Sequence, residues 1–216
     1  MFSVLRSTHG RSQINPYTGL SSELISNITF ITSIIQRHSG AGSNRKSAAV
    51  MRTELQLIED RLSQLEQWSE DSDTESLIYV NAAAFEAAAW VYLRVAQYGC
   101  DAEDIQTDLM PKLFEAIRRV HERRDVLSGS MLYPLWALFI AACLAPEHER
   151  IQVLPWFEDP KGCRSLSKVS STMEAIMMVW KQQDLRLTNG YGTESRGSGV
   201  PWHEAIRRLG WMLSLM

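Results

Sequence analysis

The sequence predicts an all-α protein, a single multi-helix domain of packed antiparallel helices around a buried central helix at 132–145. Three observations predict it. Apolar residues recur at three- and four-residue spacing in one segment after another. Gly, Pro, Ser and Asn gather between those segments, where helices must stop. One run, Leu132 to Ala145, carries no charge at all. At about 14 residues that run is too short to cross a bilayer, so it must be covered by protein on several sides.

Taken in order, residues 1–19 read as an N-terminal arm ending in the turn-like Asn15-Pro16-Tyr17-Thr18-Gly19. Its Arg6 and Arg11 and its lack of acids give a weak transit-peptide character, but it has no amphipathic pattern, so a frayed polar start is the better reading. Residues 20–216 read as the all-helical domain, with roughly eight helices. Leu20 to Arg37 places Leu24, Ile28, Ile31 and Ile35 on one stripe, with Ser21 or Ser22 as cap. Ser39 to Ser47 is a Gly- and Ser-rich loop bearing Arg45 and Lys46. Ala48 to Trp68 follows as a helix with Leu55, Ile58, Leu62 and Leu65 in one seam.

The acidic run from Glu70 to Glu75 allows two readings. Clustered carboxylates suit a hard cation, whereas Ser72 and Glu75 form a capping box at the positive end of a helix. The cap is preferred because no second carboxylate cluster matches the first. The helix it opens, Glu75 to Tyr98, is rich in alanine, which permits close helix approach, and Gly99 ends it. Asp101 to His121 reads as a helix interrupted near Pro111, with Leu113, Ile117 and Val120 inward. Its outward Arg118, Arg119, Arg123 and Arg124 suggest phosphate binding, but interleaved Glu115, Glu122 and Asp125 favour a face of solvated ion pairs.

For the central run, Ser130 is the expected cap, Pro134 falls where a missing N–H costs little, and Pro146 stops the helix. Glu147 to Phe157 reads as a shorter helix broken near Pro155, and residues 159–162 as a turn. In Leu166 to Gln183, Val169, Met173, Ile176, Met177 and Trp180 sit at helical spacing, and core packing is preferred over a Met-lined ligand pocket. Asn189 to Gly199 is a loop, and Trp202 to Leu215 a last helix in which Trp211 and Leu215 close the bundle.

Composition excludes several functions. A net charge of −3 and a pI near 6.0 give no footprint for nucleic acid, and no segment reaches membrane-spanning length. Cys100, Cys143 and Cys163 are odd in number and widely spaced, so neither a disulfide framework nor a zinc site is legible and a reducing compartment fits. No phosphate-cradling or nucleophile-elbow motif occurs. His203-Glu204 is followed by Arg207, and His121-Glu122 by Asp125, where a zinc protease needs a second histidine. His148 lies between carboxylates, yet no nucleophile or oxyanion donor can be assigned beside it, so a surface histidine is expected. Asn27-Ile28-Thr29 matches a glycosylation acceptor, but it falls mid-helix. No catalytic, cofactor-binding or metal-ligating residue is therefore assigned.

Leu135 to Ala145, followed by Glu149-Arg150, resembles the signature of the fungal-specific transcription factor regulatory region. This is the helical C-terminal part of many zinc binuclear cluster regulators. Ala137 and Ala142 stand where the pattern has Pro and Gly, both helix-favourable replacements. Asn15 to Ile31, Trp180 and Gly210-Trp211 are looser echoes. The resemblance implies transcriptional regulation in the nucleus through co-regulators or a DNA-binding partner, with a small-molecule effector as a further input and no catalysis. It implies no zinc in this chain, because the family's zinc module needs six closely spaced cysteines; zinc would belong only to an N-terminal cluster outside it. Neither direct nucleic-acid binding nor membrane association is expected. Two rivals belong to other classes: a terpene-cyclase-like helical enzyme using Asp71, Asp73 and Glu75 for magnesium, and a helical adaptor without an effector.

Overall fold

A computed structural model describes residues 10–39, 45–70, 76–100, 102–123, 133–158, 166–188, 200 and 202–203. The architecture is all-α, as expected, with one small addition at the N-terminal side. Ile14–Asn15 (β1) pairs antiparallel with Leu20–Ser21 (β2) across the Asn15–Gly19 turn. The sequence dictates this turn. Asn15 Oδ1 accepts the Tyr17 N–H at 2.8 Å, and Gly19 takes a φ of 67° that a Cβ would disfavour. Ile14 is buried and donates its N–H to the Trp68 carbonyl at 2.7 Å. Residues 10–19 are thus fastened to the domain, although polarity alone placed them in the arm; one buried isoleucine and two backbone bonds to Ser12 and Ile14 outweigh it.

Helix α1 (Ser22–Ser39) starts after Ser21, whose Oγ accepts the Leu24 N–H at 3.3 Å. Its stripe of Leu24, Ile28, Ile31 and Ile35 is buried as the spacing requires. Helix α2 (Arg45–Ser63) packs beside it, beginning and ending earlier than Ala48 and Trp68. Residues 45–47 of the expected loop are therefore helical, and Leu65 is buried beyond the helix end.

Helix α3 (Leu77–Tyr98) is the hub, touching α1 and α2 on one side and the following helices on the other. Ala82, Ala84, Ala88 and Ala89 are buried, and their small side chains are what let so many neighbours approach. Gly99 ends it with a φ of 88° and its N–H on the Val95 carbonyl at 2.9 Å. The start is Leu77 with Ser76 as N-cap, two residues later than expected, and the proposed box of Ser72 and Glu75 lies outside the described residues. The magnesium candidates Asp71, Asp73 and Glu75 lie there too.

The interruption expected near Pro111 is a π turn at Ile105–Leu109, which leads straight into α4 (Met110–Glu122) with Pro111 in its first turn. There the proline's missing N–H does no harm. Leu113, Ile117 and Val120 face inward, while Arg118 pairs with Glu115 at 2.7 Å and also with Glu122. Arg94 links three elements, with Glu59 of α2 at 3.0 Å and Asp104 at 3.3 Å.

Helix α5 (Leu135–Leu144) is the expected central helix, shorter than 132–145 at each end. All ten residues are buried. Pro134 is its N-cap and Ala145 its C-cap; Ser130 lies outside the described residues. The next segment splits at Leu154 and Pro155 into α6 (Glu147–Val153) and α7 (Pro155–Glu158). Helix α8 (Leu166–Thr188) runs past the expected Gln183 and packs on α5. Its stripe differs in one residue. Val169, Ile176 and Trp180 are buried as expected and Met173 partly so, but Met177 is 54% exposed. The residue that completes the buried face is Val179. The closing pair Trp211 and Leu215 lies outside the described residues, as do the loop 189–199 and the turn 159–162.

Candidate functional site

The signature helix α5 meets two different environments. Along its first turns the neighbours are aromatic. Trp136 stacks parallel to Phe85 of α3 with ring centres 6.0 Å apart, and Tyr92 meets it edge-on at the same distance. Phe139 contacts Trp202, which also lies 5.8 Å from Tyr92. A polar thread runs through this cluster. Thr32 Oγ1 of α1 lies 3.1 Å from the Tyr92 hydroxyl, and that hydroxyl lies 3.0 Å from His203 Nε2. Because Thr32 gives its proton to the Ile28 carbonyl, a consistent order has Tyr92 donating to Thr32 and neutral His203 donating to Tyr92. Burial pushes the Tyr92 hydroxyl up to about 12 and His203 down to about 4, so both stay neutral near pH 7.

At the last turn of α5 the partners are polar. The carbonyls that a helix leaves unpaired at its C-terminus must be satisfied where they are buried. Trp180 Nε1 donates to the Ala142 carbonyl at 2.8 Å, Gln183 Nε2 to Cys143 at 3.0 Å, and Gln106 Nε2 to Leu144 at 3.3 Å. Arg150 of α6 locks these partners in turn. Its guanidinium lies 5.3 Å from the centre of the Trp180 ring, donates to Gln183 Oε1 at 2.9 Å and pairs with Asp184 at 2.8 Å. Arg150, within the family signature, and Trp180, one of its looser echoes, thus meet in one fastening. Gln183 and Gln106 were missed, because a glutamine that caps a distant helix carries no local pattern.

Outside this fastening lies an open groove lined by Arg150, Met177, Trp180, Lys181, Asp184 and Leu185. Of these, Met177 is 54% and Leu185 51% exposed. The groove thus sets exposed apolar side chains beside a tryptophan that is held in place.

The remaining candidates are spread apart. His148 is 78% exposed and lies 3.7 Å from Glu149. Asn27 is buried, which leaves a glycan no room. Burial raises the Cys143 thiol well above its ordinary value. Arg124, Glu204 and Arg207 lie outside the described residues. Among the described residues no group of three His, Cys, Asp or Glu side chains could hold a metal ion, and no helix is long and apolar enough to cross a membrane.

Comparison with curated proteins and with solved structures gave no match. Comparison with known families matches the fungal specific transcription factor domain over residues 2–216, with α5 and its fastening inside that span. The chain therefore belongs to the family of fungal specific transcription factor domains.

Proposed function

We propose that this chain is the regulatory region of a nuclear transcription regulator, acting through protein contacts and without catalysis. The family match across residues 2–216 carries the reading. Charge and cysteine content support it further. The chain is net acidic and has three cysteines, where the zinc binuclear cluster of such regulators needs six. DNA contact is accordingly assigned to another module or to a partner, and the partners are co-regulators or that DNA-binding protein. A small-molecule effector is the second class of input. Residues 20–216 act as one regulatory unit, joined by the hairpin residues that precede them.

The test is to fuse residues 1–216 to an unrelated DNA-binding module and place its operator before a reporter gene. A change in reporter transcription is expected, while the unfused chain leaves a labelled operator duplex unretarded. Sequence-selective, salt-sensitive retardation by the unfused chain would overturn the assignment of DNA contact elsewhere.

A further inference from the structure

We propose that the groove between α6 and α8 docks one acidic amphipathic helix of a partner protein. Met177, Lys181 and Leu185 recur every four residues and so lie along one line of α8. At 1.5 Å per residue that line is about 12 Å long, which two turns of a docked helix match. The floor cannot drift. Trp180 is held from below by the Ala142 carbonyl and on its face by Arg150. A locked indole between exposed apolar walls is the arrangement into which helical side chains insert.

Charge selects the occupant. Among the described residues, three charged ones line the groove, Arg150, Lys181 and Asp184. Arg150 pairs with Asp184 at 2.8 Å, and Lys181 has no ion pair among the described residues. Among the described residues of the groove, Lys181 is therefore the cation without an ion pair, and it stands between two apolar side chains. Its complement is a helix with apolar residues three or four positions apart and a carboxylate beside them. Only the biological meaning of this docking rests on the proposed regulatory role. The binding assay reads the groove without transcription, so the two ideas fail separately.

The probe is a fluorescein-labelled peptide of about 16 residues, with leucine at every third or fourth position and glutamates between. A matching peptide carries lysines in their place. Anisotropy with the full chain is expected to show tighter binding of the glutamate peptide. Met177→Glu with Leu185→Glu weakens it by about tenfold or more. Lys181→Glu reverses the preference toward the lysine peptide. Melting curves and far-UV circular dichroism of each variant confirm that the fold is intact, as expected for exposed positions. Three results overturn the proposal: equal binding of both peptides, binding of neither, or unchanged binding by the folded double variant. A concentration-dependent dimer abolished by Met177→Glu also overturns it, by assigning the groove to a second copy of the chain.

Discussion

The two ends of α5 are held by different physics. Its first turns are gripped by stacked and edge-on rings that bury Trp136 and Phe139, whereas its last turn is tied by three side-chain donors, Trp180, Gln183 and Gln106. Ring packing depends on area and shape, and it tolerates no exposed partner. Directional bonds fix a few atoms and leave the outer faces of their donors available. The rings at the first end are buried, while beside the fastened end a groove opens outward.

The largest test of this contrast is Trp136→Ala. Removing a buried indole from between Phe85 and Tyr92 is expected to cost about 3–5 kcal/mol, read as a lower urea midpoint or outright loss of cooperative unfolding. Next comes Trp180→Phe, which removes the indole N–H bond, leaves the Ala142 carbonyl with only the Ala145 N–H, and puts a smaller ring in the indole's place. A loss of about 1–3 kcal/mol is expected, and no loss would mean that the fastening is incidental.

The third test uses pH. Burial holds His203 at about 4 in the folded chain, against about 6.5 when unfolded. The unfolded chain therefore binds the proton first, and stability falls as pH drops from about 6.5 toward 4. Between pH 7 and 5 this group accounts for about 2 kcal/mol, to be seen as a midpoint shift that His203→Gln largely removes. An identical pH dependence in that variant would place the sensitivity elsewhere. The smallest effect belongs to the groove. Met177→Glu or Lys181→Glu should change stability by no more than about 0.5 kcal/mol, because neither position is buried.

Most of the fold was legible because amphipathic spacing is a direct record of which face is covered. Leu24, Ile28 and Ile31, or Leu113, Ile117 and Val120, needed no tertiary knowledge to be placed inside. The charge-free run at Leu135–Leu144 announced a helix covered all round, and it is one. The hairpin was not legible. Two-residue strands have no period, and the burial of Ile14 depends on the distant Trp68 backbone. Met177 was misplaced for a related reason: on α8 apolar residues flank the buried face on both sides, and Val179 completes it instead. At the candidate site, the resemblance touched Arg150, inside the signature, and Trp180, one of its looser echoes. It could not reveal that they lock each other, since their contact joins two helices that are separate in sequence. Tyr92 and His203 likewise meet across a long stretch of chain, and neither gave any local signal.

The most direct measurement is reporter transcription by the tethered chain, wild type against Met177→Glu with Leu185→Glu, alongside melting curves of both proteins. The double variant is expected to melt within a few degrees of wild type and to lose most of its effect on the reporter. Full reporter activity in a folded double variant would contradict that expectation, and would move the working surface of this domain away from the fastened end of α5.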